Sequence, residues 1–287
     1  MNIVVAGLGR LGMAIAQRLA EAGHSVTGWN RTPGRGEPLR SSGGQVADKL
    51  GDAVELSAVT VTCVADDDAL LEVVLGDDGV GAYLPAAGVL VDCSTVSPQT
   101  SQRLATELGA QRFVAAPVLS NPIVTKAGNA SLLLGGERDT IERLDWLWSD
   151  LAASYRYCGP PRAAGVCKLA NNLLLVGGVA LVAEAIGVVE AGGVEHKLLV
   201  EFLDDHPLIP AGIRNRLPRL IERDHAGWFD AGLSAKDVGL AADVAEAGGA
   251  RVPVTRLVEQ LMREAAAAHP GGDMTAVIEL LGRRPPE

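Results

Sequence analysis

The feature that most constrains this chain is Gly7-Leu8-Gly9-Arg10-Leu11-Gly12. It follows the apolar run Ile3-Val4-Val5-Ala6 and leads into an amphipathic stretch at 13–22 that closes on Gly23. A G-x-G-x-x-G spacing between a strand and a helix is a phosphate-binding turn. The first glycine permits the tight turn, the second lets a pyrophosphate approach the backbone, and the third lets helix pack on strand. The helix N-terminus then offers unpaired N–H groups and the positive end of its dipole to the phosphates. With 34 glycines in the chain, the spacing gains its weight from this context. Gly7, Leu8, Gly9, Arg10, Leu11 and Gly12 are expected to hold a dinucleotide.

Further apolar runs at 26–29, 58–64, 88–91, 113–116 and 131–134 alternate with helix-like stretches such as 97–108. This alternation predicts βαβ units and a doubly wound, mainly parallel sheet of Rossmann type. After Gly159-Pro160-Pro161 the pattern turns helical, first over 163–191 and then over 197–203, 212–223, 236–247, 254–268 and 274–281. A length of 287 residues suits two domains. The expected organisation is a Rossmann domain at 1–160, a long interdomain helix at 161–191 and an all-α domain at 192–287. The segment 169–189 is apolar enough to mimic a membrane span. It carries Asn171, Asn172 and Glu184 without flanking basic clusters, so a helix buried in protein is expected instead.

Several function classes are excluded. A net charge of −10 and 3% aromatic residues leave neither a basic face for nucleic acid nor rings for stacking bases. Cys63, Cys93, Cys158 and Cys167 form no C-x-x-C pair and read as buried apolar residues in a reduced compartment. Asp66-Asp67-Asp68 reads as a helix-capping cluster and no metal is expected. Neither G-x-S-x-G nor H-E-x-x-H occurs, which removes the hydrolases those motifs mark. Met1 leads straight into the first strand, so no targeting segment is expected and the location is read as cytoplasmic.

The residue ending the second strand selects the cofactor. A carboxylate there would bind the ribose hydroxyls and repel a 2′-phosphate, but the chain has Trp29-Asn30-Arg31-Thr32. Asn30 is neutral and Arg31 offers a planar fork of donors, with Arg35 close in sequence. Asn30, Arg31 and Thr32 are therefore expected at the adenosine end, with NADP preferred over NAD.

Four more segments complete a pattern with the glycine turn. They are Asp92-Cys93-Ser94-Thr95-Val96-Ser97-Pro98, Ala116-Pro117-Val118, Gly165-Val166-Cys167-Lys168-Leu169-Ala170-Asn171-Asn172, and Lys236-Asp237-Val238-Gly239-Leu240-Ala241. In this order the chain resembles the β-hydroxyacid dehydrogenases, which include 3-hydroxyisobutyrate dehydrogenase and the glyoxylate/succinic semialdehyde reductases. The resemblance implies a dimer or tetramer formed through the helical domain and a small-molecule substrate. It also places Ser94 beside the nicotinamide, Thr95 in the substrate pocket and Lys236 near the cofactor. Val64 and Ala65, after the third expected strand, line the adenosine side.

Lys168 is the expected catalyst. Carbonyl reduction needs a proton at the oxygen as charge develops, and a lysine beside it stabilises that charge and donates the proton. Asn172, four residues on, shares its helical face and is expected to orient the substrate. The resemblance departs at one place: where relatives carry Ser-Gly-Gly to hold a carboxylate, this chain has Leu119, Ser120 and Asn121. Those three remain the expected substrate-binding loop, with a rebuilt pocket for a larger or less acidic carbonyl. Imine reduction on the same scaffold is the alternative reading. Lys168 argues against it, because imine reductases usually replace that lysine, and Leu119 weakly favours it. A non-catalytic NADP-binding scaffold is the third reading, disfavoured by the retention of Lys168 and Asn172.

Overall fold

The computed structural model describes residues 1–281. They fall into two compact units, the first ending at Lys168 and the second beginning at Leu169. The division falls inside one continuous helix, Pro161–Ala191.

The first unit is built on an eight-stranded sheet: β1 Asn2–Ala6, β2 Ser25–Trp29, β3 Gln45–Val46, β4 Val59–Thr62, β5 Val89–Asp92, β6 Phe113–Ala115, β7 Ala130–Gly135 and β8 Ala152–Gly159. The strand order is β3-β2-β1-β4-β5-β6-β7-β8. Pairing is parallel throughout except between β6 and β7. The sheet is buried on both faces, which is why its central strands read as unbroken apolar runs. Ile3 and Val5 of β1 join the core with Ile15, Leu19 and Trp148. Val4 and Ala6 point the other way, into the core of Leu70, Val74 and Leu104. Each such valine or leucine buried contributes about 1.5–3 kcal/mol. The order reverses between β1 and β4, and at such a switch point the crevice beyond the carboxyl ends of the strands takes ligands.

Two strands depart from expectation. β3 is only two residues long. β8 is an edge strand whose middle, Ser154, Tyr155 and Arg156, is exposed, so it carries no apolar run to mark it.

The second unit is helical. Its core gathers Val176, Val179, Ala183 and Ile186 of the long helix with residues of the Ala231–Ala247 and Pro253–Ala268 helices. Gly178 allows the close approach of Ile213, whose Cδ1 would lie 2.3 Å from an added Cβ. The helix expected over 212–223 is split into Ala211–Arg214 and Leu217–Glu222, with Pro218 placed in the first turn of the second piece, where a missing N–H costs least. Residues 274–281 form a 3-10 turn, Met274–Val277, followed by Ile278–Leu281. The long helix departs from the buried helix expected of it, because Leu174, Leu181 and Val188 are exposed. Among the described residues it is the one helix long and apolar enough to cross a membrane.

Candidate active site

The glycine turn is built as its spacing predicts. Gly7 has φ +99°, and a Cβ there would sit 2.3 Å from the Cys63 carbonyl oxygen. At Gly12 a Cβ would sit 1.9 Å from the Gly7 carbonyl oxygen, so neither position admits a side chain. Gly9 differs, because its Cβ would meet nothing within 4 Å. It is also the N-cap of the Arg10–Glu21 helix, whose first turn has no side-chain cap. The open space over Gly9, beside helix N–H groups that a diphosphate would satisfy, fits a dinucleotide.

Asn30 acts on this turn rather than beside it. Its Oδ1 accepts from the Leu8 N–H at 2.9 Å, and its Nδ2 donates to the Thr32 carbonyl at 3.0 Å. Arg31 lies at the surface and donates to the Glu72 carboxylate at 3.0 Å. Arg35 is exposed in the same loop.

The ends of β4 and β5 are tied together through Asp92, a buried carboxylate. Its Oδ1 accepts from the Thr62 hydroxyl at 2.8 Å and from the Ser94 N–H at 3.1 Å. Ser94 Oγ in turn accepts from the Val64 N–H at 2.9 Å, which places the Val64-Ala65 loop against the Ser94-Thr95 loop. Burial pushes the Asp92 carboxyl up, while the bonds from Ser94 and Thr62 pull against that shift. Of the three aspartates after Ala65, Asp66 caps the Asp67–Leu75 helix through the Ala69 N–H. Asp67 accepts from Ser97 at its N–H, 3.0 Å, and hydroxyl, 2.5 Å. Among the described residues no group of three His, Cys, Asp or Glu side chains is arranged to hold a metal ion.

A small cleft opens beside these loops, lined by Asp92, Ser94, Thr95, Val96, Pro117 and Lys168. Lys168 is half-buried, and its Nζ donates to the Val118 carbonyl at 2.7 Å. That bond fixes the ammonium over the segment that follows β6. Further along this segment the expected substrate loop is turned to structural use. Leu119 packs against the core and donates its N–H to the Ser131 carbonyl at 2.8 Å. Ser120 Oγ accepts from the Ser131 N–H at 3.2 Å. Asn121 Oδ1 caps the Pro122–Lys126 helix by accepting from the Val124 N–H at 3.0 Å. The acceptor atoms of both polar side chains are thus engaged by the scaffold.

In the second unit Asn172 is buried and donates from Nδ2 to Asp237 Oδ2 at 2.6 Å. Lys236 Nζ lies 2.8 Å from the other Asp237 oxygen, and Asn171 donates to Asn172 Oδ1 at 3.2 Å. A buried carboxylate therefore orients the Asn172 amide. Sequence reasoning missed the roles of Asp92, Asp67 and Glu72. Each is identified by a partner about 30 or more residues away, which spacing does not reveal.

The sheet order, the glycine turn and the cleft at the strand ends define a dinucleotide-dependent oxidoreductase fold. Residues 2–159 match the family described as the NAD binding domain of 6-phosphogluconate dehydrogenase. Residues 163–281 match that described as NAD-binding of NADP-dependent 3-hydroxyisobutyrate dehydrogenase. The chain belongs to the β-hydroxyacid dehydrogenase family and is an NAD(P)-dependent oxidoreductase. It is 28% identical over 272 residues to an NAD-dependent L-serine dehydrogenase of Pseudomonas aeruginosa, covering 91% of each chain. It is also 28% identical over 291 residues to a 3-hydroxyisobutyrate dehydrogenase of the same organism, covering 97% of this chain and 98% of that one. In structure it is similar to a Mycobacterium tuberculosis 3-hydroxyisobutyrate dehydrogenase solved with L-serine. There the TM-score is 0.85 at 24% identity, over 97% of this chain and 98% of that one. An imine reductase from Pseudomonas sp. shares the fold at a TM-score of 0.62 and 22% identity, over 96% of this chain and 98% of that one.

Proposed function

We propose that this chain is an NADP-dependent dehydrogenase and reductase that interconverts a small β-hydroxy acid, or a related alcohol, with its carbonyl. The observation that carries the reading is Lys168 Nζ fixed 2.7 Å from the Val118 carbonyl at the edge of a cleft beyond β5 and β6. One N–H of the ammonium is spent on that carbonyl, which aims the group. A substrate oxygen within hydrogen-bond reach of Nζ would have its developing negative charge stabilised and then take a proton from it. In the reverse direction the neutral amine accepts that proton. The bound nicotinamide supplies or accepts the hydride at the carbonyl carbon. Asn172, one helical turn beyond Lys168, is the proposed orienting residue, its amide held by Asp237. Ser94 and Thr95 are proposed beside the nicotinamide, with Val64 and Ala65 toward the adenosine and Lys236 near the cofactor. The names of the two Pseudomonas aeruginosa relatives, both enzymes of β-hydroxy acids, support the substrate class. Arg31 at the end of β2 supports NADP over NAD.

Imine reduction is the second reading. What favours it is Leu119, an apolar side chain where relatives place a hydroxyl, with the acceptors of Ser120 and Asn121 engaged elsewhere. Lys168 weighs against it, and with Asn172 it also weighs against a non-catalytic scaffold. NADPH consumption with glyoxylate, succinic semialdehyde, apolar aldehydes and cyclic imines, and NADPH formation from NADP+ with L-serine, separate the three, with Lys168→Ala alongside. Turnover of a carboxylated substrate that Lys168→Ala abolishes, with cofactor binding kept, is expected. Turnover of imines alone, or turnover indifferent to Lys168, overturns the reading.

The proposed macromolecular partner is a second copy of this chain, with neither nucleic acid nor membrane involved. Leu174, Leu181 and Val188 repeat every seven residues along the long helix and are 76%, 65% and 72% exposed, the seam of a helix-to-helix contact. Light scattering should give a dimer or larger, and Leu181→Glu should shift it toward monomer. A wild-type monomer refutes the assignment.

A further inference from the structure

Two groups that look uniform in the sequence are not uniform in the fold. The cysteines, expected to be buried, run from buried Cys93 through half-buried Cys63 and Cys158 to exposed Cys167. Of the three consecutive aspartates expected to cap a helix, Asp66 does so and Asp68 is exposed, but Asp67 is half-buried and turned to a different partner. Both of its oxygens accept from the Ser97 N–H, at 3.0 and 3.2 Å, and Oδ1 also accepts from the Ser97 hydroxyl at 2.5 Å. Ser97 is the N-cap of the Pro98–Leu108 helix, where its Oγ accepts from the Thr100 N–H at 3.1 Å. Three residues earlier Ser94 is held in a matching way. Its N–H donates to Asp92 at 3.1 Å, and its Oγ accepts from the Val64 N–H at 2.9 Å. Residues 94–97 thus form an arch with a carboxylate on the N–H at each foot and both hydroxyls tied to the 64–67 loop. Between the feet, Thr95 and Val96 line the cleft that Lys168 also lines.

We propose that Asp67 is a positioning residue for the reaction: it sets the far foot of the 94–97 arch, and so the placing of Thr95 in the cleft. The inference rests on the substrate and cofactor sites proposed above. Ser97 is extended, φ −61° and ψ 143°, as a residue before proline is. Its N–H lies outside the helix it caps and needs an acceptor from elsewhere. Asp67 supplies that acceptor. A carboxylate makes the bond charge-assisted, about twice as strong as a neutral one. Asp67 also opens the Asp67–Leu75 helix, where negative charge is favoured, so the acceptor is itself held in place. Thr95 is proposed to meet the substrate, and the 64–67 loop to meet the cofactor. One carboxylate therefore sets the spacing between two walls of the site. A misplacement of about 1 Å in such a wall can cost about 100-fold in rate.

The test compares two neighbours on one helix turn in the full-length protein. Asp67→Ala removes the tie to Ser97. Asp66→Ala removes the cap of the same helix and controls for stability lost without the tie. The substrate is whichever of those named above the wild type turns over. At saturating NADPH, Asp67→Ala should lower kcat about 10- to 100-fold, with KM and the NADPH dissociation constant near wild type. Asp67→Asn, which keeps an acceptor for the Ser97 N–H, should recover most of the loss. Asp66→Ala should lower the melting temperature and leave kcat near wild type. Hydrogen exchange of the peptide over 94–98, followed by mass spectrometry without substrate, should quicken in Asp67→Ala and stay slow in Asp66→Ala. Equal losses of kcat in the two alanine variants, or unchanged exchange at 94–98 in Asp67→Ala, overturn the inference. Turnover of imines alone overturns the substrate class proposed above, and the same comparison on the imine then decides the role of Asp67. A wild type that turns over nothing overturns both.

Discussion

On the proposed reading Arg31 is the residue on which the cofactor preference turns, and its surroundings bound the size of the effect. Its guanidinium lies 3.0 Å from the Glu72 carboxylate, with the two side chains 72% and 65% exposed. An ion pair this open contributes about 0.2–1 kcal/mol, screened further by salt. A charge-assisted bond from Arg31 to a 2′-phosphate is worth about 1.5–3 kcal/mol. If Arg31 meets the 2′-phosphate, binding NADPH exchanges the first contact for the second, a net gain of about 0.5–2.8 kcal/mol, or about 2- to 100-fold in Kd. Arg31→Ala should weaken NADPH by that factor and leave NADH unchanged. Glu72→Gln removes the competing carboxylate and should tighten NADPH by about 1.4- to 5-fold, again without effect on NADH. Both cofactors are titrated by their fluorescence at low and high salt, and the Glu72→Gln gain should shrink at high salt. Equal weakening of NADH and NADPH in Arg31→Ala would sink the argument, as would a Glu72→Gln change shared by both cofactors.

Three further outcomes are expected. Gly9→Ala should leave the melting temperature near wild type, since its Cβ meets nothing within 4 Å, yet weaken both cofactors; Gly12→Ala should lower both stability and binding, because its Cβ would overlap the Gly7 carbonyl. Parallel behaviour of the two variants would refute the division of labour. Asp237→Ala strands the buried Asn172 amide donor and should cost about 1–3 kcal/mol in urea unfolding, with a fall in kcat/KM, whereas Asp237→Asn, which keeps an acceptor, should cost less; equal losses would mean that the Asn172 bond is not what matters. Asp92 is held above its ordinary value of 3.8 mainly by burial, so between the unfolded and folded values the native state binds more protons and stability falls as pH rises. Asp92→Asn should flatten that slope in melting profiles taken upward from pH 3.5, and superimposable profiles would refute it.

The backbone half of the molecule was legible in the sequence and the side-chain half much less so. A glycine turn, alternating apolar runs and the change to helical period follow from local geometry, and local geometry has a spacing. Pro218 was visible too, but whether it ends one helix or starts another depends on what Leu217 and Leu220 pack against. β8 escaped because an exposed edge strand needs no apolar run. The cysteines were read as one class, although each thiol's environment is set by the end of the strand or turn of helix it occupies. Lys168 stood out through the motif it sits in, Gly165 to Asn172. Asp92 did not, because a buried carboxylate is distinguished only by its partners, here Thr62 thirty residues before it and Ser94 two after.

Polar residues near the site serve two claimants, ligand and scaffold, and sequence identifies them without saying which claimant prevails. Asn30 was read as a cofactor contact, yet its oxygen is bonded to the Leu8 N–H, so its effect on a dinucleotide passes through the shape of the glycine turn. Ser120 and Asn121 were read as substrate contacts, yet Ser131 and Val124 occupy their acceptor oxygens. What those side chains retain is donor capacity, the Ser120 hydroxyl hydrogen and the Asn121 amide hydrogens. Donors suit a carboxylate or a carbonyl oxygen and do not suit a cationic iminium. On the proposed reading, a substrate reaching this loop would meet donors, which suits one bearing oxygen acceptors.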